Sequence, residues 1–569
     1  MTGKAEALKN EGNARKAAGD LAGAIERYRR ALEAQPGYVA ALYNLGVALR
    51  EHEELEESEA CFRRLLDIEP SDVDALFNLG SLQRRRLDLA GAERTYRRAL
   101  EIAPGNAPLW LMLGETGIAR YTDESLRDAV RCFRKAIELA PALADAHYHL
   151  AQARELEGAQ GDALEGYKAA LRFDPGNVAY RTALLSAKQR SCDWQGLDEL
   201  WAETHRTLAG DPGQLMDPFV LLTMPSTPAE QLQCAARNAR SIMESARQAR
   251  RAEFGFDRPA SARLRIGYLS AEFHAHATAY LTAELFELHD RGRFEIFAYS
   301  YGPEDHSAIR GRVRRAFDRF VDVRALSDAD AARAIHADGI DILVDLKGYT
   351  FRARPGILAL RPAPLQVGYL GYPGTTGAPF IDYLVGDRIV TPPADAAYYS
   401  EKLVVMPDSY QVNDRRRALG AAPSRRELGL PERGTVFCCF NQAYKILPDV
   451  FALWMRLLQA LPNSVLWLLE WNPEGPVNLR REARRLGVDP ARLVFSPLTS
   501  VEAHLSRLQV ADLFLDTFPY NAHTTASEAL WSGLPLVTVT GDTFASRVAS
   551  SLLHAAGLPE LVTRSFAEY

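Results

Sequence analysis

Five prolines, Pro36, Pro70, Pro104, Pro141 and Pro175, follow one another at intervals of 34, 34, 37 and 34 residues, and a fixed pattern travels with them. Ahead of each proline stand a small residue, an aromatic four later and Ala or Leu three after that. These are Ala24/Tyr28/Ala31, Ser58/Phe62/Leu65, Ala92/Tyr96/Ala99, Ala129/Phe133/Ala136 and Ala163/Tyr167/Ala170. Further upstream comes a small residue at a constant offset: Gly12, Gly46, Gly80, Gly114 and Ala151. Repetition at such a period restricts the chain to a stack of identical supersecondary units, each needing its neighbours to bury its apolar face. The spacings of three and four belong to helices, and proline ends the second helix of each unit. A small residue lets two helices of a hairpin approach, and the aromatic is expected to fill the gap to the next hairpin.

This is the tetratricopeptide pattern in five copies, over residues 1–178. The 37-residue copy has three extra residues near Ala119–Thr122, expected to lengthen the turn between its helices. A solenoid of this kind presents a concave surface suited to a polypeptide. Two residues before the small position stand Asn10, Asn44 and Asn78, then Met112 and His149. An amide both donates and accepts, so this ladder can clamp an extended peptide backbone without reading its side chains. The alternative is that these amides satisfy groups between repeats.

The whole chain has 569 residues, 47% hydrophobic and 25% charged, with a formal net charge of −6. Its length fits about three to five domains. A slightly acidic chain without a basic stripe is not built on nucleic-acid phosphates. The six cysteines form no C-x-x-C pair, which points to a reduced, cytoplasmic protein without structural zinc. The opening MTGKAEALKN is too polar for a secretory signal, and no apolar run reaches the ~18 residues of a membrane span.

Residues 179–260 are helical in tendency without the repeat; the stretch Gln231–Arg251 reads as a connecting helix, and Pro259 marks the boundary. From 261 onward, apolar runs alternate with helical segments. LRIGYLS (264–270), FEIFAYS (294–300), IDILVDL (340–346) and LQVGYLG (365–371) form a first lobe over 261–430. TVFCCFN (435–441), SVLWLLE (464–470), RLVFSP (492–497), LFLDT (513–517) and LPLVTVT (534–540) form a second over 431–569. Helices are expected near 278–289, 328–338, 448–461, 500–511 and 525–533. Such alternation means parallel sheets covered on both faces, here two Rossmann-like lobes. Neither G-x-G-x-x-G nor a P-loop occurs, so dinucleotide and nucleoside-triphosphate readings are weak.

In parallel sheets ligands gather beyond the carboxyl ends of strands. Four loops there have the right chemistry: one with His274 and His276, the low-bulk loop Gly371–Gly377, one with Gln442 and Lys445, and one placing His523, Thr524 and Thr525 at a helix start. Free N–H groups and a positive dipole end suit a phosphate, and Lys445 adds a full charge. Thr525-Ala-Ser-Glu528 also fits a capping box, and Asp328-Ala-Asp330 fits first-turn carboxylates after Ser327 better than a metal site.

The array followed by RLRIGYLSAEFHAHATAYL, HADGIDILVDLKGYT, LRPAPLQVGYLGYPGTTGAPFIDY, YSEKLVVMP, FNQAYKI, LPNSVLWLL and LDTFPYNAHTT resembles the O-linked N-acetylglucosamine transferases of glycosyltransferase family 41, in a bacterial form. The resemblance implies a GT-B fold, a UDP-GlcNAc donor between the lobes, inversion at the sugar, no metal and no cofactor, and Ser/Thr acceptors on polypeptides. It assigns Gln442 and Lys445 to the diphosphate, and His523, Thr524 and Thr525 to the phosphates. Glu528 falls on the ribose, where the family has aspartate, and His504 and Arg507 lie against the uridine. Leu370, Gly371 and Pro373 border the sugar, and His276 matches a histidine proposed as general base. Lys347 stands where the family has Asn before Gly-Tyr-Thr, and Val501 where it has a lysine near the uracil. Family members continue past the position of Tyr569 through a further helical segment. A SPINDLY-like fucosyltransferase using GDP-fucose and an inactive repeat scaffold are the competing readings; a UDP-sugar epimerase is disfavoured because it has no use for a peptide-binding array.

Overall fold

The computed structural model describes every residue except 1, 211–212, 250–253 and 257–262. The expected boundary at Pro259 lies outside the described residues. The chain divides into two compact units, Met1–Tyr180 and Arg181–Tyr569.

The first unit is five helical hairpins: α1–α2 (Thr2–Ala17, Leu21–Ala34), α3–α4 (Val39–Glu51, Leu55–Ile68), α5–α6 (Val73–Arg85, Leu89–Ile102), α7–α8 (Ala107–Arg120, Asp123–Leu139) and α9–α10 (Ala144–Leu156, Gln160–Phe173). Asp20, Asp72, Asp88 and Asn106 accept from the N–H three residues on, which fixes where four of the helices begin. The small-residue rule has a direct steric cause. A Cβ at Gly12, Gly46, Gly80 or Gly114 would come within 2.5, 2.8, 2.6 or 2.4 Å of the ring of Tyr28, Phe62, Tyr96 or Phe133. Each of these four rings therefore lies against the first helix of its own hairpin; Phe133 also stacks on His149 of the next, with ring centres 5.8 Å apart, as the sequence expectation had it. Tyr28, Phe62, Tyr96, Phe133 and Tyr167 are all at most 2% exposed, and each such burial stabilises by roughly 1.5–3 kcal/mol.

The 37-residue repeat also differs from expectation. Only Tyr121 and Thr122 separate α7 from α8, and the extra length lies in the helices, chiefly the 17 residues of α8 against 14 in α4 and α6. Tyr121 adopts left-handed backbone (φ 52°) and Thr122 with Ser125 forms a reciprocal cap, so the turn tightens while the helix grows.

In the second unit, α11 (Val178–Arg190, entered from the first unit), α12 (Leu197–Gly210), α13 (Pro218–Leu222) and α14 (Pro228–Ala249) precede the sheets. The first sheet has seven parallel strands: β1 (Leu264–Ser270), β2 (Phe294–Ser300), β3 (Arg319–Asp322), β4 (Ile342–Asp345), β5 (Leu365–Gly368), β6 (Tyr383–Asp387) and β7 (Lys402–Met406), in the order β3-β2-β1-β4-β5-β6-β7. Between them run α15 (Ala277–Glu287), α16 (Ala308–Ala316), α17 (Asp328–Ala337) and α18 (Pro355–Ala359). The second sheet has six: β8 (Thr435–Cys439), β9 (Ser464–Leu469), β10 (Leu493–Ser496), β11 (Leu513–Leu515), β12 (Leu536–Val539) and β13 (Val562–Thr563), in the order β10-β9-β8-β11-β12-β13. Its helices are α19 (Pro448–Ala460), α20 (Glu474–Arg485), α21 (Val501–Leu508), α22 (Thr524–Trp531) and α23 (Val548–Ala555).

Both sheets thus reverse direction of growth once, between β1 and β4 and between β8 and β11. A crevice opens beyond the strand ends at such a switch point. The connecting helices brace it. Phe219 of α13 lies 6.0 Å from the Tyr444 ring and 6.1 Å from Tyr520, and Leu222 packs with Tyr372 and Tyr520. Asn472 and Asn478 of the second lobe donate to Arg190 and Ser191 carbonyls after α11. Among the described residues, no helix is long and apolar enough to cross a membrane.

Candidate functional site

The second lobe's switch point is lined by the residues that close β8 and β11. Asp516, 2% exposed, is a hub: it accepts from Asn441 Nδ2 (3.2 Å), from the Thr517 and Ala522 N–H groups (2.7 and 2.6 Å) and from Thr538 Oγ1 (2.6 Å). Four donors on one carboxylate fix the loop 516–522 that leads into α22. Lys445 enters from the neighbouring β8 loop. Its ammonium, buried, donates to Asn521 O at 2.7 Å and sits 4.1 Å from the centre of the Tyr520 ring. Burial lowers its pKa to about 7, against the pull of Asp516 and Cys439. Burial likewise raises Asp516 to about 6.

The helix start at α22 differs from the capping-box alternative. His523 occupies the cap position without a side-chain cap bond, Thr525 Oγ1 donates to Asn441 Oδ1, and Glu528 turns to Arg417 and His504. The N–H groups of Thr524 and Thr525 lead the helix while those of Ala526 and Ser527 turn back to His523 O, an arrangement that offers donors to an anion. The His523 ring stacks on Tyr520 and its Nε2 faces Ala545 O at 3.3 Å. Burial and Lys445 lower its pKa, so the ring is neutral, gives its proton to Ala545 and carries an acceptor on Nδ1. What this residue offers a phosphate is position, not charge. Gln442 is exposed beside Lys445.

A second cluster surrounds His504. Arg507 donates to His504 Nδ1 (2.9 Å) and to Pro497 O (2.8 Å), and lies 4.7 Å from the Phe440 ring; burial lowers its pKa to about 10. With Nδ1 accepting from Arg507, His504 carries its N–H on Nε2, and that nitrogen is 3.5 Å from Glu528 Oε2. Val501 opens α21.

The first lobe has a cluster of its own. His276 caps α15, its Nδ1 accepting from Thr278 N–H at 3.2 Å, so the neutral ring carries its proton on Nε2. Burial and the nearby Lys347 lower its pKa against the pull of Glu272, whose Oε2 is 3.4 Å away. Glu272 also accepts from Thr278 Oγ1 (2.6 Å) and from Lys347 Nζ. Burial raises the Glu272 pKa, but His276, Lys347 and these bonds outweigh it and hold it below the usual value. Asp345, at the end of β4, accepts from the Lys347 and Gly348 N–H groups, and burial lifts it to about 6. Leu370 has φ 66°, and a Cβ at Gly371 would lie 1.8 Å from Leu346 O, so this loop runs directly over the end of β4. Pro373 is buried, and Leu370 packs against the second lobe's core.

The residues expected in the four loops therefore converge on the two switch points. In the array, Asn10 is exposed, but Asn44 donates to Asn13 Oδ1 (2.9 Å), and buried Asn78 accepts from Arg50 (2.6 Å) and donates to Asp74 O (2.8 Å). Two of the three amides are already engaged within the array. Asp328 pairs with Arg354 and Asp330 with Arg333, as first-turn carboxylates would. Sequence reasoning did not single out Asp516, Asn441 or Glu272. Their signal was available: each is a polar residue within two positions of the end of an apolar strand. Among the described residues, no group of three or more His, Cys, Asp or Glu side chains is placed to hold a metal.

The glycosyl transferase family 41 model matches residues 215–422 and 421–569, and the tetratricopeptide repeat model matches 9–72, 48–107 and 115–178. An Arabidopsis thaliana chain named as a probable UDP-N-acetylglucosamine–peptide N-acetylglucosaminyltransferase, SEC, is 36% identical over 68% of this chain and 41% of its own length. The Caenorhabditis elegans UDP-N-acetylglucosamine–peptide N-acetylglucosaminyltransferase is 31% identical over 54% of this chain and 36% of its own. The chain thus spans about two fifths of the length of these relatives. A solved structure of a mutant of the Thermobaculum terrenum O-GlcNAc transferase superposes with a TM-score of 0.62 and 30% identity, covering 87% of this chain and 88% of that one. The two parallel-sheet lobes have the GT-B arrangement of that enzyme, and the chain belongs to glycosyl transferase family 41.

Proposed function

We propose that this chain moves N-acetylglucosamine from UDP-GlcNAc to Ser or Thr hydroxyls of polypeptides, with inversion at the anomeric carbon and without a metal. The observation that carries this reading is the buried Lys445 ammonium beside the open start of α22, beyond the switch point of the second sheet. A diphosphate seated there meets one full charge and the leading N–H groups of Thr524 and Thr525. The acceptor oxygen bonds to the anomeric carbon from the face opposite the diphosphate. The bond from that carbon to the phosphate oxygen breaks, and its electron pair stays with UDP, stabilised by Lys445 and the helix start. The hydroxyl proton passes to His276 or to water. The His276 lone pair is on Nδ1, so taking that proton means giving up the Thr278 cap. Gln442 serves the diphosphate, His504, Arg507 and Glu528 the nucleoside, and Leu370, Gly371 and Pro373 the sugar. The array, with Asn10 as its exposed amide, receives the polypeptide, and the reaction belongs to the cytoplasm.

Mass spectrometry of a polypeptide mixture incubated with the purified chain and UDP-GlcNAc tests this: a hexosamine increment on Ser or Thr, unchanged by EDTA, is expected. Val501, apolar at the head of α21, favours a second reading, fucose transfer from GDP-fucose; a deoxyhexose increment with that donor would select it. No increment with either donor would leave a binding scaffold.

A further inference from the structure

Between the two lobes the chain passes through a segment that carries Arg417, and its guanidinium ends up against Glu528 and Trp531 of α22. The side chain is 4% exposed, and Nη1 lies 3.6 Å from Glu528 Oε1, close enough for charge attraction and too far for a hydrogen bond. Nη2 donates to Asn413 Oδ1 at 2.9 Å, while Nε and Nη1 are buried without a hydrogen-bond partner. The guanidinium lies over Trp531, whose indole N–H donates to the Arg417 carbonyl. Glu528 and Trp531 are three residues apart on α22, so they share one helix face and Arg417 spans both. Burial lowers the Arg417 pKa against the pull of Glu528 and Asp414. A cation kept in this state with two of its three nitrogens unused is costly unless something else completes it.

What completes it follows from the chemistry of the pair. Glu528 offers only acceptors and Arg417 only donors, side by side. A hydroxyl can give its proton to the first and take a hydrogen bond from the second, and two adjacent hydroxyls can do so at both. Glu528 is four residues beyond Thr524, about 6 Å along the helix axis, which is the distance of a nucleoside sugar from its phosphates. Resting on the reading that a nucleoside diphosphate occupies this lobe, we propose that Arg417 is a donor-binding residue that reads the ribose cis-diol together with Glu528, making the site selective for ribo- over deoxyribonucleotides.

Calorimetric titration of the full chain with UDP, 2′-deoxy-UDP and 3′-deoxy-UDP tests this, with Arg417→Gln and Arg417→Lys variants whose thermal melts are recorded alongside. The unmodified chain is expected to prefer UDP over at least one deoxy analogue by about tenfold, the loss of one hydrogen bond to a charged group. In Arg417→Gln that preference should fall below about threefold, with UDP itself weakened about tenfold. Arg417→Lys retains the charge but not the fork, and should keep fold and lose most of the preference. A Lys445→Ala control should weaken all three nucleotides equally. An unchanged preference in a folded Arg417 variant would overturn the assignment of Arg417 while leaving the transferase reading intact. If GDP binds instead of UDP, the same ratio measured with GDP and its deoxy forms decides. Binding of neither diphosphate would overturn both readings.

Discussion

Each lobe buries one lysine beyond its switch point, and the two are held in opposite ways. Lys347, 3% exposed, is matched to a dedicated carboxylate, Glu272, which in turn ties down Thr278 and stands beside His276. Lys445 is held by a carbonyl and an aromatic face, with its nearest carboxylate, Asp516, already saturated by four donors. A buried cation with its own counter-ion is spent on structure. One held by neutral groups keeps most of its charge for a ligand, at the cost of a pKa pulled down to about 7.

The sharpest way to break this contrast is to remove each lysine in turn. Lys445→Ala should lower sugar-transfer turnover by about 10²–10³, as the loss of one preorganised donor does, with little change in melting temperature; a loss below tenfold would erase the distinction. Lys347→Ala should act the other way round, on the fold. It strands Glu272 in the interior, a destabilisation of about 3–5 kcal/mol read as a large drop in the melting temperature of the second unit. The double change Lys347→Met with Glu272→Gln should recover most of it. Equal activity loss in both single variants at matched folding would show that Lys347 also meets substrate.

Acidity sharpens the same comparison. Below about pH 7 Lys445 is already protonated in the empty site, so binding of a diphosphate takes up no proton there. Above it the neutral amine must be recharged, and the Kd for UDP should weaken by up to about tenfold per pH unit. Titrations in buffers of different ionisation enthalpy should register that proton uptake at pH 8 and not at pH 6, and Lys445→Ala should abolish it. A flat profile would mean that Lys445 is charged throughout. The smallest effect concerns the array. Asn10→Ala with Asn44→Ala should slow polypeptide modification by about three- to tenfold, one or two ordinary hydrogen bonds, and leave hydrolysis of free UDP-GlcNAc untouched. Asn78→Ala should instead cost stability, because Arg50 loses its acceptor.

The array was legible almost to the residue because its constraint is local and repeated: the ring of Tyr96 and the hydrogen atom of Gly80 specify each other, as do ring and glycine in three other copies. What a single sequence could not convey was which neighbour each ring meets, or that the longer fourth repeat extends a helix. The strands buried along their length, such as FEIFAYS and SVLWLL, were equally plain. Those that escaped notice include β3, with four residues, and β7, which keeps four of its five largely exposed; neither has a continuous buried run. The candidate-site loops could be located because strand ends hold them. Their partnerships could not, since Glu272 with Lys347 and Glu528 with Arg417 join residues 75 and 111 positions apart. Such pairs have no period to betray them.

The bracing by α11 and α13 sets a rule for anyone dissecting this protein. Residues 179–260 read in sequence as connecting helices, and a natural place to cut would be just ahead of β1. Such a cut would strip Phe219 and Leu222 from the aromatic plate behind Lys445, and Cys192 from its contact with the Ala443 carbonyl, 3.7 Å away, at the base of the lysine's own turn. A piece meant to keep both lobes intact begins near Arg181, and the helices before the first sheet are part of the lobes' frame rather than their leash.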